Sequence, residues 1–101
     1  MRRDLAALID HTFLRPDAVR SDFVRLCNEA IQHSIAAVCV NSSHVPLCTS
    51  LLADRQLPIA ATVGFPLGAS SATAKVEEAL QAVFEGASEL DMVCALSALE
   101  P

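Results

Sequence analysis

Apolar stretches of two different periods alternate along this chain, and that alternation restricts the fold more than any other feature of the sequence. Residues 35–40 and 58–63 are short apolar runs without polar alternation, the pattern of a parallel strand covered on both faces. Residues 9–12 and 89–94 supply a first and a fourth strand. Between the strands the spacing becomes helical. Phe23, Leu26, Cys27, Ala30 and Ile31 recur at i, i+3, i+4, i+7 and i+8 over residues 20–32, opposite Arg25, Asn28, Glu29 and Gln32, with Ser21 or Asp17 as the expected cap. Residues 45–55 form a second expected helix, with Pro46 in its first turn and Leu47, Leu51 and Leu52 inward. In the third, Ala72, Val76, Ala79, Leu80, Val83 and Phe84 make an apolar stripe expected to face the core. Glu77, Glu78, Gln81 and Glu85 oppose that stripe, and Gly86 is the natural terminator.

The resulting order, β-α-β-α-β-α-β, repeats one unit about every 20 to 30 residues and fits a parallel barrel or a doubly wound sheet with right-handed crossovers. A nucleotide-binding sheet is the weaker choice, because Phe13-Leu14-Arg15-Pro16 after the first strand has no glycine to cradle a pyrophosphate. A closed (β/α)8 TIM barrel needs eight units and about 250 residues. The 101 residues are therefore expected to make a single partial domain, about half a barrel, and the stop at Glu100-Pro101 is read as a truncation where a fourth helix would begin.

Composition narrows the function classes. With 52% hydrophobic and 19% charged residues, the chain is expected to fold rather than remain disordered. A net charge of -5 and scattered basic residues argue against a nucleic-acid surface. The cysteines show no Cys-x-x-Cys spacing, no secretory segment is apparent, and no apolar run reaches membrane-spanning length, so a cytoplasmic protein with reduced thiols and no membrane partner is expected.

Barrel enzymes build their sites at the C-terminal ends of the strands, so polar residues there are the candidates. Asp91, inside Glu89-Leu90-Asp91-Met92-Val93, is the strongest: a carboxylate among apolar neighbours is either paired or tuned for proton transfer. Asp10 invites the same reading on the first strand, although an Asp near a turn also serves as a local cap. Cys39 in the second strand reads more readily as a small apolar residue than as a nucleophile. His11 and His44 do not have the spacing of a metal pair, and neither a metal nor another cofactor is expected. Lys75, the only lysine, flanks the stripe of an outer helix, where it is expected to lie outward, snorkelling or ion-paired.

Four segments, Leu8-Ile9-Asp10-His11-Thr12-Phe13-Leu14-Arg15-Pro16, Ala37-Val38-Cys39-Val40-Asn41, Thr62-Val63-Gly64-Phe65-Pro66-Leu67-Gly68 and Glu89-Leu90-Asp91-Met92-Val93, together resemble the N-terminal half of the deoxyribose-phosphate aldolase family. The resemblance implies a class I lyase that cleaves 2-deoxy-D-ribose 5-phosphate to D-glyceraldehyde 3-phosphate and acetaldehyde through a lysine Schiff base, a cationic electron sink. It implies a proton-transfer role for Asp91 and substrate-pocket positions for Asp10, Thr12 and Cys39. The Schiff-base lysine and the phosphate-binding loops would lie on later strands, leaving this chain inactive alone. Arg15 stands where the family commonly has lysine, and Cys94-Ala95 where it commonly has isoleucine and asparagine. Expected partners are a sugar phosphate, an aldehyde and further copies of the chain. A non-catalytic half-barrel, acting through association or sugar-phosphate binding, is the alternative.

Overall fold

The computed structural model describes residues 2–100. Strands β1 (Asp10–Phe13), β2 (Ala37–Asn41), β3 (Ile59–Val63) and β4 (Glu89–Met92) form one sheet in that order, every neighbouring pair parallel. Helices α2 (Arg20–His33), α3 (Val45–Leu51) and α4 (Ala72–Glu85) are the crossovers, and a four-residue α1 (Arg3–Ala6) precedes β1. Two short 3-10 turns, Ser42–His44 and Leu96–Leu99, follow β2 and β4. The alternation expected from the sequence is present.

The register gives the sheet two unlike faces. Val38, Val40, Ile59 and Ala61 point to the helices and join Phe23, Leu26, Cys27, Ala30, Val45 and Cys48 in the core. Phe23 sits at its centre, edge-on to Phe13 with ring centroids 6.0 Å apart and stacked on His44 at 4.2 Å. Cys27 and Cys48 touch within this core as free thiols, and the hydrogen bond that Cys48 donates to Cys27, together with burial, pushes the Cys48 thiol up. No helix is long and apolar enough to cross a membrane among the described residues.

Three local expectations need correction. Neither Ser21 nor Asp17 caps α2: Val19 occupies that position, and its amide donates to the Asp22 carboxylate at 2.8 Å. Asp17 instead pairs with Arg15 at 2.9 Å. Helix α3 ends at Leu51 rather than at residue 55, because the chain must become extended before Pro58 to enter β3.

The third correction concerns α4. Its apolar stripe faces outward: Val76, Leu80, Val83 and Phe84 are exposed, Phe84 by 86%, whereas Lys75 and Ala82 are buried. Hydrogen bonds set this rotation. Glu78, expected on the solvent side, accepts from Ser42 Oγ at 2.6 Å and from the Gly64 amide at 2.8 Å. One helical turn beyond Gln81, the Glu85 carbonyl accepts from Thr49 Oγ1 at 2.7 Å. These bonds anchor one flank of α4 beside α3, and the small Ala82 allows close approach. Lys75 is only 8% exposed, with its stem lying over Gly64, and is not the outward lysine expected.

The loop after β3 is closed by a bond from the Gly68 amide to the Gly64 carbonyl at 2.7 Å. Gly68 has φ +66°, and a Cβ there would collide with the Cys94 carbonyl and the Val93 side chain. The glycine therefore lets the loop rest against the end of β4. Gly68→Ala is expected to lower stability by about 1–3 kcal/mol through backbone strain alone, with the collision adding to it. Urea unfolding should show a lower midpoint at unchanged slope, and an unshifted midpoint would mean that the loop relaxes freely.

Candidate active site

The sheet face away from the helices carries the polar residues, and register alone sorts them into rows. Thr12, Cys39, Ala60 and Glu89 share one level, while Asn41, Thr62 and Asp91 share the next level towards the C-terminal ends. Asp10 lies one level below Thr12, paired with Ala37. In a parallel sheet every second residue faces the same side, so Asp10 and Thr12, Cys39 and Asn41, and Glu89 and Asp91 are pairs on one surface. All four residues singled out from the sequence, Asp10, Thr12, Cys39 and Asp91, are on this face.

Cys39 and Asp91 are in direct contact although they belong to strands separated by β3. The Cys39 thiol donates to Asp91 Oδ2 at 3.3 Å. Ala60 and Thr62 stand on the strand between them, and the single methyl of Ala60 leaves the path open. Burial pushes the Cys39 thiol up to about 12, assisted by the hydrogen bond and negative charge of Asp91, with Thr12 acting in the opposite direction and Asp10 adding to the rise. Cys39 is therefore a neutral donor at physiological pH, not a thiolate nucleophile. Asp91 itself is exposed and accessible to a ligand.

Thr12 Oγ1 donates to the Asp10 carbonyl at 3.0 Å, so the threonine makes the local bond expected of the aspartate. The Asp10 carboxylate has no hydrogen-bond partner among the described residues and faces the same space as Glu89 and Asp91. His11 and His44 are not brought into this site. His11 bonds Glu29 at 3.0 Å on the helix side, and His44 stacks on Phe23. Lys75 belongs to α4 and not to a strand.

Asn41 and Thr62 were not singled out as site residues, yet they share the level of Asp91. Thr62 Oγ1 donates to Asn41 Oδ1 at 3.2 Å, and Asn41 Nδ2 donates to the Leu14 carbonyl at 3.1 Å. The chain of bonds ties the β1 loop to β3. Their signal was available: each lies two residues beyond a residue on the same face, Asn41 after Cys39 and Thr62 after Ala60. At the same end of the sheet, Leu14, Pro16, Asn41, His44, Phe65 and Pro66 border a cleft of 430 Å³. A wider depression along α2, bordered by Arg20, Val24 and Asn28, is the outer surface of a single helix and includes none of the strand-end residues.

No family model matches the chain. A deoxyribose-phosphate aldolase from Caldicellulosiruptor saccharolyticus is 45% identical over 98 residues, which is 97% of this chain and 44% of its own length. The deoxyribose-phosphate aldolase 1 of Bacillus licheniformis is 44% identical over 100 residues, 99% of this chain and 45% of its own. The solved deoxyribose phosphate aldolase of Aeropyrum pernix, described as a unique tetramer, superposes with a TM-score of 0.90 at 31% identity over 95% of this chain and 41% of that one. This chain resembles the deoxyribose-phosphate aldolase family. It spans under half the length of the aldolases it matches. Set against those TIM barrels, the four parallel strands are a half-barrel, and the face bearing Cys39 and Asp91 is the one that lines the barrel interior.

The shielding of Cys39 has a measurable consequence. Thiolate absorbance of Cys39, isolated by replacing the other three cysteines with alanine or serine, should rise only at strongly alkaline pH. Asp91→Asn removes the neighbouring negative charge and should move that rise to lower pH. An unmoved titration would mean that the two side chains do not meet in solution.

Proposed function

We propose that this chain forms the N-terminal part of a deoxyribose-phosphate aldolase active site, with Asp91 moving protons and Asp10, Thr12 and Cys39 lining the substrate pocket. The observation that carries the reading is the Cys39–Asp91 contact on the face that lines the interior of the matched barrels. The reaction is the cleavage of 2-deoxy-D-ribose 5-phosphate to D-glyceraldehyde 3-phosphate and acetaldehyde. In a class I lyase the iminium formed between a lysine amine and the substrate carbonyl withdraws the electrons of the breaking carbon–carbon bond. A carboxylate at the strand end accepts and returns the protons that this exchange requires. The exposed Asp91 has the position for that task, and the neutral Cys39 thiol holds one of its oxygens without competing as a nucleophile.

The lysine must come from outside this sheet. The single lysine, Lys75, is on α4 with its stem over Gly64. We therefore read the isolated chain as inactive and complete only with strands that bring a lysine and a phosphate site. The free cysteines favour a reducing, cytoplasmic setting, and the tetrameric Aeropyrum pernix relative favours a homo-oligomer.

Reconstitution tests the proposal. The chain alone should show no cleavage and no borohydride-trapped adduct at Lys75. Mixed with the complementary C-terminal portion of the Caldicellulosiruptor saccharolyticus aldolase, it should recover retro-aldol activity. Asp91→Asn in the mixture should then lower kcat by on the order of 10²- to 10⁴-fold with a smaller change in KM. Turnover by the isolated chain, or full activity of the Asp91→Asn mixture, would overturn the assignment.

A further inference from the structure

Glu78 is a half-buried carboxylate to which the lyase reading gives no task, and both of its oxygens are committed to strand ends. Oε2 accepts from Ser42 Oγ at 2.6 Å, one residue past β2, and Oε1 accepts from the Gly64 amide at 2.8 Å, one residue past β3. No cation pairs with it among the described residues, so a hydroxyl and a main-chain amide hold its charge. Charge-assisted bonds of this kind are short and about twice as strong as neutral ones.

The two anchored groups adjoin the inner face. Asn41, which accepts from Thr62 Oγ1 at 3.2 Å, immediately precedes Ser42. Gly64 opens the loop whose Gly68 rests against Val93 and the Cys94 carbonyl, and the Val93 amide donates to the Val63 carbonyl at 2.9 Å. Glu78 therefore reaches the ends of β2 and β3 directly, and the end of β4 through that loop. Cys39 stands on β2 and Asp91 on β4, with β3 between them, so their 3.3 Å contact depends on the spacing of all three strands.

We propose that Glu78 is a positioning residue of this site: from an outer helix it holds the ends of β2 and β3 at the separation in which the Cys39 thiol meets Asp91, and so sets how the Asp91 carboxylate faces a substrate. The kinetic consequence rests on the lyase reading, whereas the placing of Cys39 against Asp91 stands without it. Replacements separate position from charge. Glutamine keeps both bonds, since its Oε1 accepts from the Gly64 amide while its Nε2 donates to Ser42 Oγ, the hydroxyl reversing its role. Alanine removes both. The negative charges that act on the Cys39 thiol are those of Asp91 and Asp10, not that of Glu78, so neutralising Glu78 in place leaves Cys39 as it was.

The test follows thiolate absorbance of Cys39, with the other three cysteines replaced, in Glu78→Ala, Glu78→Gln and Ser42→Ala chains. Glu78→Ala should move the titration to lower pH, because a displaced Asp91 no longer holds the proton on the thiol, and Glu78→Gln should titrate with the parent. Ser42→Ala cuts the β2 bond alone and should shift the titration in the same direction by less, which carries the test if Glu78→Ala does not fold. In the mixture with the C-terminal portion of the Caldicellulosiruptor saccharolyticus aldolase, Glu78→Ala should lower kcat by about 10- to 100-fold, the scale of a misplacement of about 1 Å, and Glu78→Gln should restore it. KM should change less, because the phosphate site belongs to the complementary portion. A Cys39 titration unmoved by Glu78→Ala and by Ser42→Ala would overturn the proposal. A shift in Glu78→Gln as large as in Glu78→Ala would overturn it too, by marking an effect of charge. If the parent mixture cleaves substrate and Glu78→Ala keeps its kcat, positioning fails while the lyase reading stands. A parent mixture without cleavage removes the lyase reading alone, and the titration then decides whether Glu78 places the pair.

Discussion

Parallel register is the constraint on which the rest of the half-barrel depends. Aligning Thr12 with Cys39, Cys39 with Ala60 and Thr62 with Asp91 commits every second residue of four strands to one surface. A slip of one residue in β2 would send Cys39 into the helix layer and bring Val38 or Val40 to the inner face. The core then fixes the register in return. Val38, Val40, Ile59 and Ala61 have a dry place only against the helices, so the cost of exposing them holds the polar residues on the other side.

Strand order, helix order and the identity of the inner-face residues were legible because they follow from local periodicity. Asp10, Thr12, Cys39 and Asp91 could be placed on one surface once the strands were recognised. The rotation of α4 was not legible. An apolar stripe says which side of a helix avoids water, but it does not say whether the partner for that side lies within the same chain. Here Val76, Leu80 and Val83 turn away, and the sheet side is taken by Lys75 and Ala82 with Glu78 bonded at its margin. Glu78 looked solvated because its partners, Ser42 and Gly64, are distant in sequence and one of them is a backbone amide. Lys75 was misplaced for the same reason, since its aliphatic stem is covered by a loop glycine whose position no helical pattern reveals.

Asn41 and Thr62 illustrate a second limit. Polar side chains at the ends of apolar strands resemble the beginning of a loop, and only the register shows that they stand level with Asp91. Their mutual hydrogen bond, and that from Asn41 to the Leu14 carbonyl, satisfy them without leaving the site. The result is a rim in which β1, β2 and β3 are tied by side chains while β4 contributes the exposed carboxylate.

The Glu78 clasp gives α4 a further property. Its carboxylate grips the C-terminal ends of β2 and β3 through Ser42 and Gly64, and the Glu85 carbonyl is held by Thr49 near the opposite end of the same helix. Both fastenings lie on one side, so α4 acts as a splint pinned along a single edge. At Glu78 the edge is confined, because a replacement must preserve the side-chain acceptor, and across from Glu85 the constraint falls on the Thr49 hydroxyl, since the acceptor there is a main-chain carbonyl. The bare edge carries no such obligation and is free to change with whatever comes to lie beside it, so a lineage can exchange the neighbour of α4 without disturbing the rim that α4 supports.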